Sequence, residues 1–239
     1  MPGADHGVAL ELALDELMLE DCSACARVWT PCERSTVLGV SSRAGEELHL
    51  DACRADGVRV FRRISGGAAV YLAPGVVCFS VFMPFESWPE SRSIRGAYGA
   101  AASLLAQALA GIGGLRFEPP ADIAVRGRKL VGLAQARRRR GALVHGALLV
   151  SLDAAEVARY ISHPPEEPAY RAGRRHEEFM TTLRRETGLG DVGLAAQALR
   201  EALRERFEVA GAWPTGETLA RAQKLAAEKY LSEAWTFRR

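Results

Sequence analysis

VRVFRRISGGAAVYLAPGVVCFSVFM, residues 58–83, decides the fold. Residues 58–63 alternate and are β-branched, which predicts a strand. AVYL (69–72) and VVCFSVFM (76–83) predict two more, joined by a tight turn at Ala73-Pro74-Gly75. Three strands therefore follow one another with no helix between them. Arg62, Arg63, Ser65, Gly66 and Gly67 lie at the first junction. Glycines let a ligand approach backbone N–H groups, and arginines supply guanidinium forks, so this loop is a candidate anion cradle. A plain hairpin turn with exposed arginines is the alternative.

Working toward the N-terminus, apolar residues at 9, 10, 12, 13, 14, 17, 18 and 19 predict a buried-faced helix over Val8–Asp21. Val28-Trp29 and Thr36–Val40 are short strand candidates. Toward the C-terminus, the Ala- and Leu-rich stretch 94–112 predicts a long helix stopped by Gly111 and Gly113. LRFEP, DIAVRGRKLVGLAQ and GALVHGALLVSL then predict a meander of strands. Asp153 opens a short helix over 153–161, with Glu156 at capping-box spacing. RRHEEFMTTLRRE, 191–208 and 216–230 predict three further helical segments, the second N-capped by Asp191. Strands in adjacent runs, without strict βαβ alternation, give an α+β class: a mixed or largely antiparallel sheet with helices packed on it. No repeat or low-complexity linker divides the chain, so residues 1–239 are expected to form a single domain.

The bulk properties are those of an ordinary globular protein, with 48% hydrophobic and 25% charged residues and a formal net charge of +2. No apolar run approaches the roughly 18 residues of a membrane helix. The start, MPGADHGVALELALDE, lacks the basic region of a signal peptide, so a cytoplasmic location is expected. Five cysteines argue against a disulfide framework. Cys22 and Cys25 have the spacing of half a zinc site, with Cys32 or Cys53 to complete it. No second such pair exists, and reduced thiols near a helix end are the simpler reading. The run Arg137–Arg140 lies at an expected hairpin tip, without interleaved aromatics or a basic overall balance. That disfavours nucleic acid and suits transient contact with an acidic protein.

Two more places carry chemistry. Lys129 sits in a strand pattern between Gly127 and Gly132, where a core-facing ammonium needs a partner or a ligand. Asp122 could pair with it or help hold a hydrated magnesium ion. A solvent-facing hairpin lysine is the alternative. His145 and Gly146 interrupt the apolar strand 143–150, which suggests close approach of a ligand or of another backbone. A satisfied core histidine would leave the same pattern.

RRISGGAAVYL, then GRKLVGLAQ, then HGALLV resemble, in order and spacing, the motif set of the lipoate–protein ligase A family, within the biotin/lipoate ligase and octanoyltransferase superfamily. ALDELMLE, VWTPCERSTVLG, YRAGRRHEEFMTTL and KYLSEAWTF extend the resemblance over nearly the whole chain. It implies an enzyme that activates lipoate or octanoate with ATP and Mg2+ as an acyl-adenylate. The acyl group then passes to a lysine of a lipoyl-domain or H-protein-type carrier. Lys129 matches the family's lysine and would hold the carboxylate and α-phosphate oxygens. Asp122 matches a position near metal and nucleotide. Arg62, Arg63, Ser65, Gly66 and Gly67 would line the acyl and phosphate pocket. Gly132, Ala134, His145 and Gly146 are implied binding positions, with Val70, Leu72 and Leu133 along the acyl chain.

The sequence departs from the family pattern in four places: Ala68 for a third glycine, Leu72-Ala73 for His-Asp, Val76 for Asn, and Val-Ser-Ser after Gly39 for a glutamine. They imply a less polar rim. No C-terminal accessory domain is recognisable, so a separate accessory-domain protein is an expected partner, and nucleic acid and membrane are not. The resemblance leaves two alternatives. One is an octanoyltransferase or amidotransferase moving octanoyl or lipoyl groups from acyl carrier protein or another lipoyl domain without ATP. The other is a catalytically impaired lipoyl-binding relative. The first needs a cysteine nucleophile in the second half of the chain; none follows Cys78, which reads as a core residue.

Overall fold

The chain changes sheets inside the stretch 58–83. The computed structural model describes residues 7–21, 25–164, 166–207 and 214–239. Its strands are β1 (Cys25–Trp29), β2 (Ser35–Leu38), β3 (Arg59–Arg62), β4 (Val70–Leu72), β5 (Val76–Pro84), β6 (Leu115–Glu118), β7 (Asp122–Val125), β8 (Arg128–Arg138) and β9 (Gly141–Leu149). Six form an antiparallel sheet in the order β1-β5-β9-β8-β7-β6. The other three form a small sheet, β3-β2-β4, in which β2 runs parallel to β3 and antiparallel to β4.

The expected hairpin between AVYL and VVCFSVFM does not form. β4 pairs with β2 over three residues, whereas β5 enters the centre of the large sheet. Eight of the nine β5 residues are buried, as a strand covered on both faces requires. Ala73-Pro74-Gly75 is a corner between sheets. Gly75 has φ +106°, and its carbonyl accepts from the Val150 and Ser151 amides at 2.9 and 3.0 Å. The expected meander is present as β6–β9.

The helices are α1 (Gly7–Asp21), α2 (Ala44–Glu47), α3 (Leu50–Ala55), α4 (Ile94–Ala108), α5 (Ala154–Tyr160), α6 (His176–Phe179), α7 (Leu183–Thr187), α8 (Val192–Arg204), α9 (Gly216–Leu225) and α10 (Glu233–Thr236). Side chains of Ser93, Asp153, Thr182, Asp191 and Thr215 cap α4, α5, α7, α8 and α9. One core lies among α1, the small sheet and the C-terminal helices; a second joins the large sheet to α4 and α8. These helices on sheets make the α+β architecture that the strand pattern predicts.

Some boundaries differ. Residues 44–55 hold two short helices that the sequence reading leaves unassigned. RRHEEFMTTLRRE is split into α6 and α7, because the segment between them runs beside β8, where the Thr181 amide donates to the Lys129 carbonyl at 2.9 Å. The last long helix ends at Leu225 and passes into a π-turn over Ala226–Tyr230. Cys22 lies outside the described residues. Among the described residues, no three His, Cys, Asp or Glu side chains form a metal-binding group, and no helix is long and apolar enough to cross a membrane.

Candidate functional site

A cavity of about 790 Å³ opens at the seam between the two sheets. β4 and β2 supply one wall, β5, β8 and β9 the other, and α1 closes the end through Leu12 and Asp15. Of the expected positions, Arg63, Gly67, Val70, Leu72, Asp122, Lys129, Gly132, Ala134, His145 and Gly146 border it. Arg62, Ser65 and Gly66 do not.

Its polar part is built on the β7–β8 hairpin. Lys129 Nζ lies 2.8 Å from Asp122 Oδ1, and the Tyr170 hydroxyl donates to Asp122 Oδ2 at 2.8 Å. Burial and then the adjacent Asp122 carboxylate push the Tyr170 phenol pKa up, so it stays an O–H donor. The Lys129 side chain keeps 30% exposure and faces the cavity with its charge accessible. Gly132 has a local reason: a Cβ there would stand 2.8 Å from Lys129 Cε and 2.9 Å from Nζ. The missing side chain is the room the ammonium occupies.

The apolar part runs past Val70, Leu72 and Leu133 to Leu12, Trp29 and Leu149. Gly146 is needed here for packing, since a Cβ would lie 2.6 Å from Phe79 Cε1 and 2.8 Å from Leu133 Cδ2. Cys78 is buried, as expected of a core residue, but it also borders the cavity. Burial, reinforced by Asp15, pushes its thiol pKa up and keeps it from being a ready thiolate.

The two arginines of the opening stretch do not face the cavity as a pair of anion forks. Arg62 is fully buried and points away from it. Its Nε donates to Thr236 O at 2.8 Å, and its Nη1 donates to Gly39 O and Ser42 O at 2.7 and 2.8 Å. Arg63 borders the cavity but is mostly spent within its own loop. Nε donates to Ser65 Oγ at 2.8 Å, Nη1 to Val37 O at 3.0 Å, and Nη2 to Gly66 O and Ala68 O at 2.6 and 2.9 Å. That uses four of the five guanidinium N–H groups. Burial lowers its pKa to about 10, well above neutrality. The reason is general: a tight glycine loop exposes carbonyls, and a buried arginine satisfies them.

The glycines do serve the loop. Gly67 has φ +85°, and Gly39 packs so closely that a Cβ would overlap Gly67 O. Ala68, in place of a third glycine, is not among the positive-φ residues, so its methyl carries no conformational cost.

His145 belongs to a buried chain that the motifs did not reveal. Its Nε2 lies 2.6 Å from Ser65 Oγ and its Nδ1 2.7 Å from Asp15 Oδ2. Ser65 Oγ also accepts from Arg63 Nε, so it joins the ring to the glycine loop. With its proton on Nδ1, the ring donates to Asp15 and accepts from the Ser65 hydroxyl at Nε2. Asp15 Oδ1 accepts in turn from Arg27 at 2.7 Å and Ser80 at 2.6 Å. Ser65 is sealed from solvent, which suits it to holding the loop against the large sheet. The available signal was an acid on an otherwise apolar helix face: Asp15 and Glu16 are both buried. Glu47 was also missed; its carboxylate accepts the Ala69 amide at 2.6 Å at the cavity wall.

The family model for the Lipoyl protein ligase A/B catalytic domain matches residues 8–208. A relative called putative lipoate-protein ligase A, from Aeropyrum pernix, is 36% identical over 162 residues, which is 66% of this chain and 59% of that protein. The chain thus matches less than two thirds of that relative's length. Octanoyltransferase LipM of Kyrpidia tusciae is 30% identical over 240 residues, covering 88% of this chain and 85% of the relative. Among solved structures, a lipoate-protein ligase A bound with ATP superposes with TM-score 0.81 at 22% identity, covering 96% of this chain and 94% of the other. That similarity is one of fold.

Proposed function

The chain belongs to the lipoyl protein ligase A/B catalytic-domain family, and from this we propose that it activates lipoate or octanoate with ATP and transfers the acyl group to a carrier-domain lysine. The observation that carries this reading is Lys129: an accessible ammonium, held by Asp122, on a cavity with an apolar branch. In the first step, the acid's carboxylate oxygen bonds to the α-phosphorus of ATP, and the bond to pyrophosphate breaks. In the second, the carrier's amine bonds to the acyl carbonyl carbon, AMP leaves with the C–O electron pair, and the amine loses its proton. Both steps build negative charge on oxygen, which a fixed ammonium stabilises. Val70, Leu72 and Leu133 would exclude water around the tail. Gly67 and Ala68, whose amides make no hydrogen bond among the described residues, would offer N–H groups to an anion.

Magnesium in such chemistry neutralises phosphate charge, and it commonly takes only one or two carboxylates from the protein. Asp122 fits that role, although Lys129 and Tyr170 already engage both its oxygens. A separate accessory-domain protein belongs to the same proposal.

Octanoyl transfer without ATP is the second reading, favoured by the LipM relative's match over most of the chain. It calls for a thiolate, and the thiol on the cavity, Cys78, is the one whose pKa burial raises. Incubation with lipoate or octanoate and an apo-lipoyl domain, read by intact mass, separates the two. The proposal expects acylation that requires ATP and survives thiol alkylation. Transfer from acyl carrier protein without ATP, abolished by alkylation, would replace it. Tight acyl binding with no transfer in either assay would indicate an impaired relative.

A further inference from the structure

The β8–β9 tip and the start of α4 form a rigid basic surface beside the cavity. Arg137 is not one of its free charges. Its Nη2 donates to Ser91 O and Arg92 O at 2.9 and 2.8 Å, and its guanidinium lies 5.1 Å from the Phe85 ring centroid. Arg92 stacks on the same ring at 5.6 Å, and the Phe85 amide donates to Arg140 O at 2.9 Å. These contacts fix the hairpin tip against the segment before α4. Arg92, Arg95, Arg138, Arg139 and Arg140 remain exposed, and none pairs with a carboxylate among the described residues.

Residues 85–95 and 137–140 hold six arginines and two glutamates, a net +4, while the whole chain carries only +2. The surface is therefore a concentrated field on an otherwise slightly acidic molecule. Ile94 stands among these charges at 61% exposure, with its carbonyl accepting from Gln135 Nε2 at 3.0 Å. Exposed arginines with one exposed aliphatic side chain on the same segment have the composition of a protein-binding patch, with an apolar anchor and a charged rim. Its place ties it to the site. The Gly66 amide donates to Gln135 O, and Arg138 lies four residues, about 13 Å, along β8 from Ala134 on the cavity.

We propose that this surface docks the acyl acceptor as a folded carrier domain with an acidic face beside its target lysine. This rests on the acyl-transfer reading above. Charge complementarity selects the partner, and the fixed tip sets its orientation, so that a lysine beside the acidic face meets the cavity rim. Interleaved aromatics, which single-stranded nucleic acid would stack on, are absent from the run.

The test uses the full chain with Arg138, Arg139 and Arg140 changed together to Glu. The probe is a fluorescently labelled apo-lipoyl domain with exposed carboxylates near its acceptor lysine, alongside a version with those carboxylates made amides. Anisotropy at low salt should show binding of the acidic domain weakened at least about tenfold, with a flatter salt dependence. Acyl-adenylate formation without carrier should stay within about twofold of the parent, because these residues lie outside the cavity. The amide version should bind parent and variant alike. Unchanged affinity would overturn the proposal, as would an equal fall in adenylate formation, or tight binding of duplex DNA or anionic vesicles with none of the carrier. Charge-dependent docking without acylation would retain the surface and refute the proposed reaction. Acylation with no charge dependence would do the reverse.

Discussion

Lys129 and Arg63 border the same cavity on opposite walls, and they do opposite things with a positive charge. Lys129 has one carboxylate partner and keeps part of its side chain exposed. Arg63 is buried and gives four hydrogen bonds to one serine and three backbone carbonyls. A cation acts on a ligand when its donors are uncommitted and its charge is accessible. The same charge, sealed against a loop, becomes part of the scaffold. The Asp15–His145–Ser65 chain falls on the scaffold side, and Asp122 holds Lys129 at the cavity.

The sharpest way to break that division is to damage each side and compare stability with activity. Asp15→Ala removes the carboxylate that His145, Ser80 and Arg27 share, leaving Arg27 to Glu11 alone, and should cost about 3 kcal/mol in equilibrium denaturation, with activity lost through unfolding. A small change would mean that the chain is not structural. Lys129→Ala should do the converse. The acyl-activation kcat/KM should fall by about 10²–10³, while stability moves by about 1 kcal/mol or less. A matching loss of stability would place Lys129 in the scaffold. Ala68→Gly should do least, within about 1 kcal/mol and with unchanged kinetics, because Ala68 already sits in an ordinary backbone conformation. A clear gain in activity would show that the loop needs a third glycine.

Much of the fold was legible because period-two runs announce strands, and Gly, Pro and cap residues mark their ends. The β6–β9 meander and α8 after its Asp191 cap follow that grammar. What local pattern does not encode is which strand pairs with which. β4 and β5 therefore read as a hairpin when they belong to different sheets. Helices of four and six residues over 44–55 carry too little periodicity to see. The site was legible where a residue type was anomalous: a lysine in a strand, a histidine in an apolar run. It was misleading where arginines preceded glycines, because carbonyls satisfied by a buried side chain leave no mark in sequence. Asp15 and His145 are 130 residues apart, and only the packing of α1 on β9 joins them.

The corner at Ala73-Pro74-Gly75 sets a mechanical limit. Three residues span at most about 11 Å even when fully extended. The two walls of the cavity are therefore strapped together at one edge by a very short tether, and they cannot slide apart as rigid bodies. Any widening has to be a rotation about that edge, like the covers of a book about its spine. Displacement beside Leu72 is then small, and at the other end the Ser65–His145 and Gly66–Gln135 hydrogen bonds have to break before the wall can swing at Gly67.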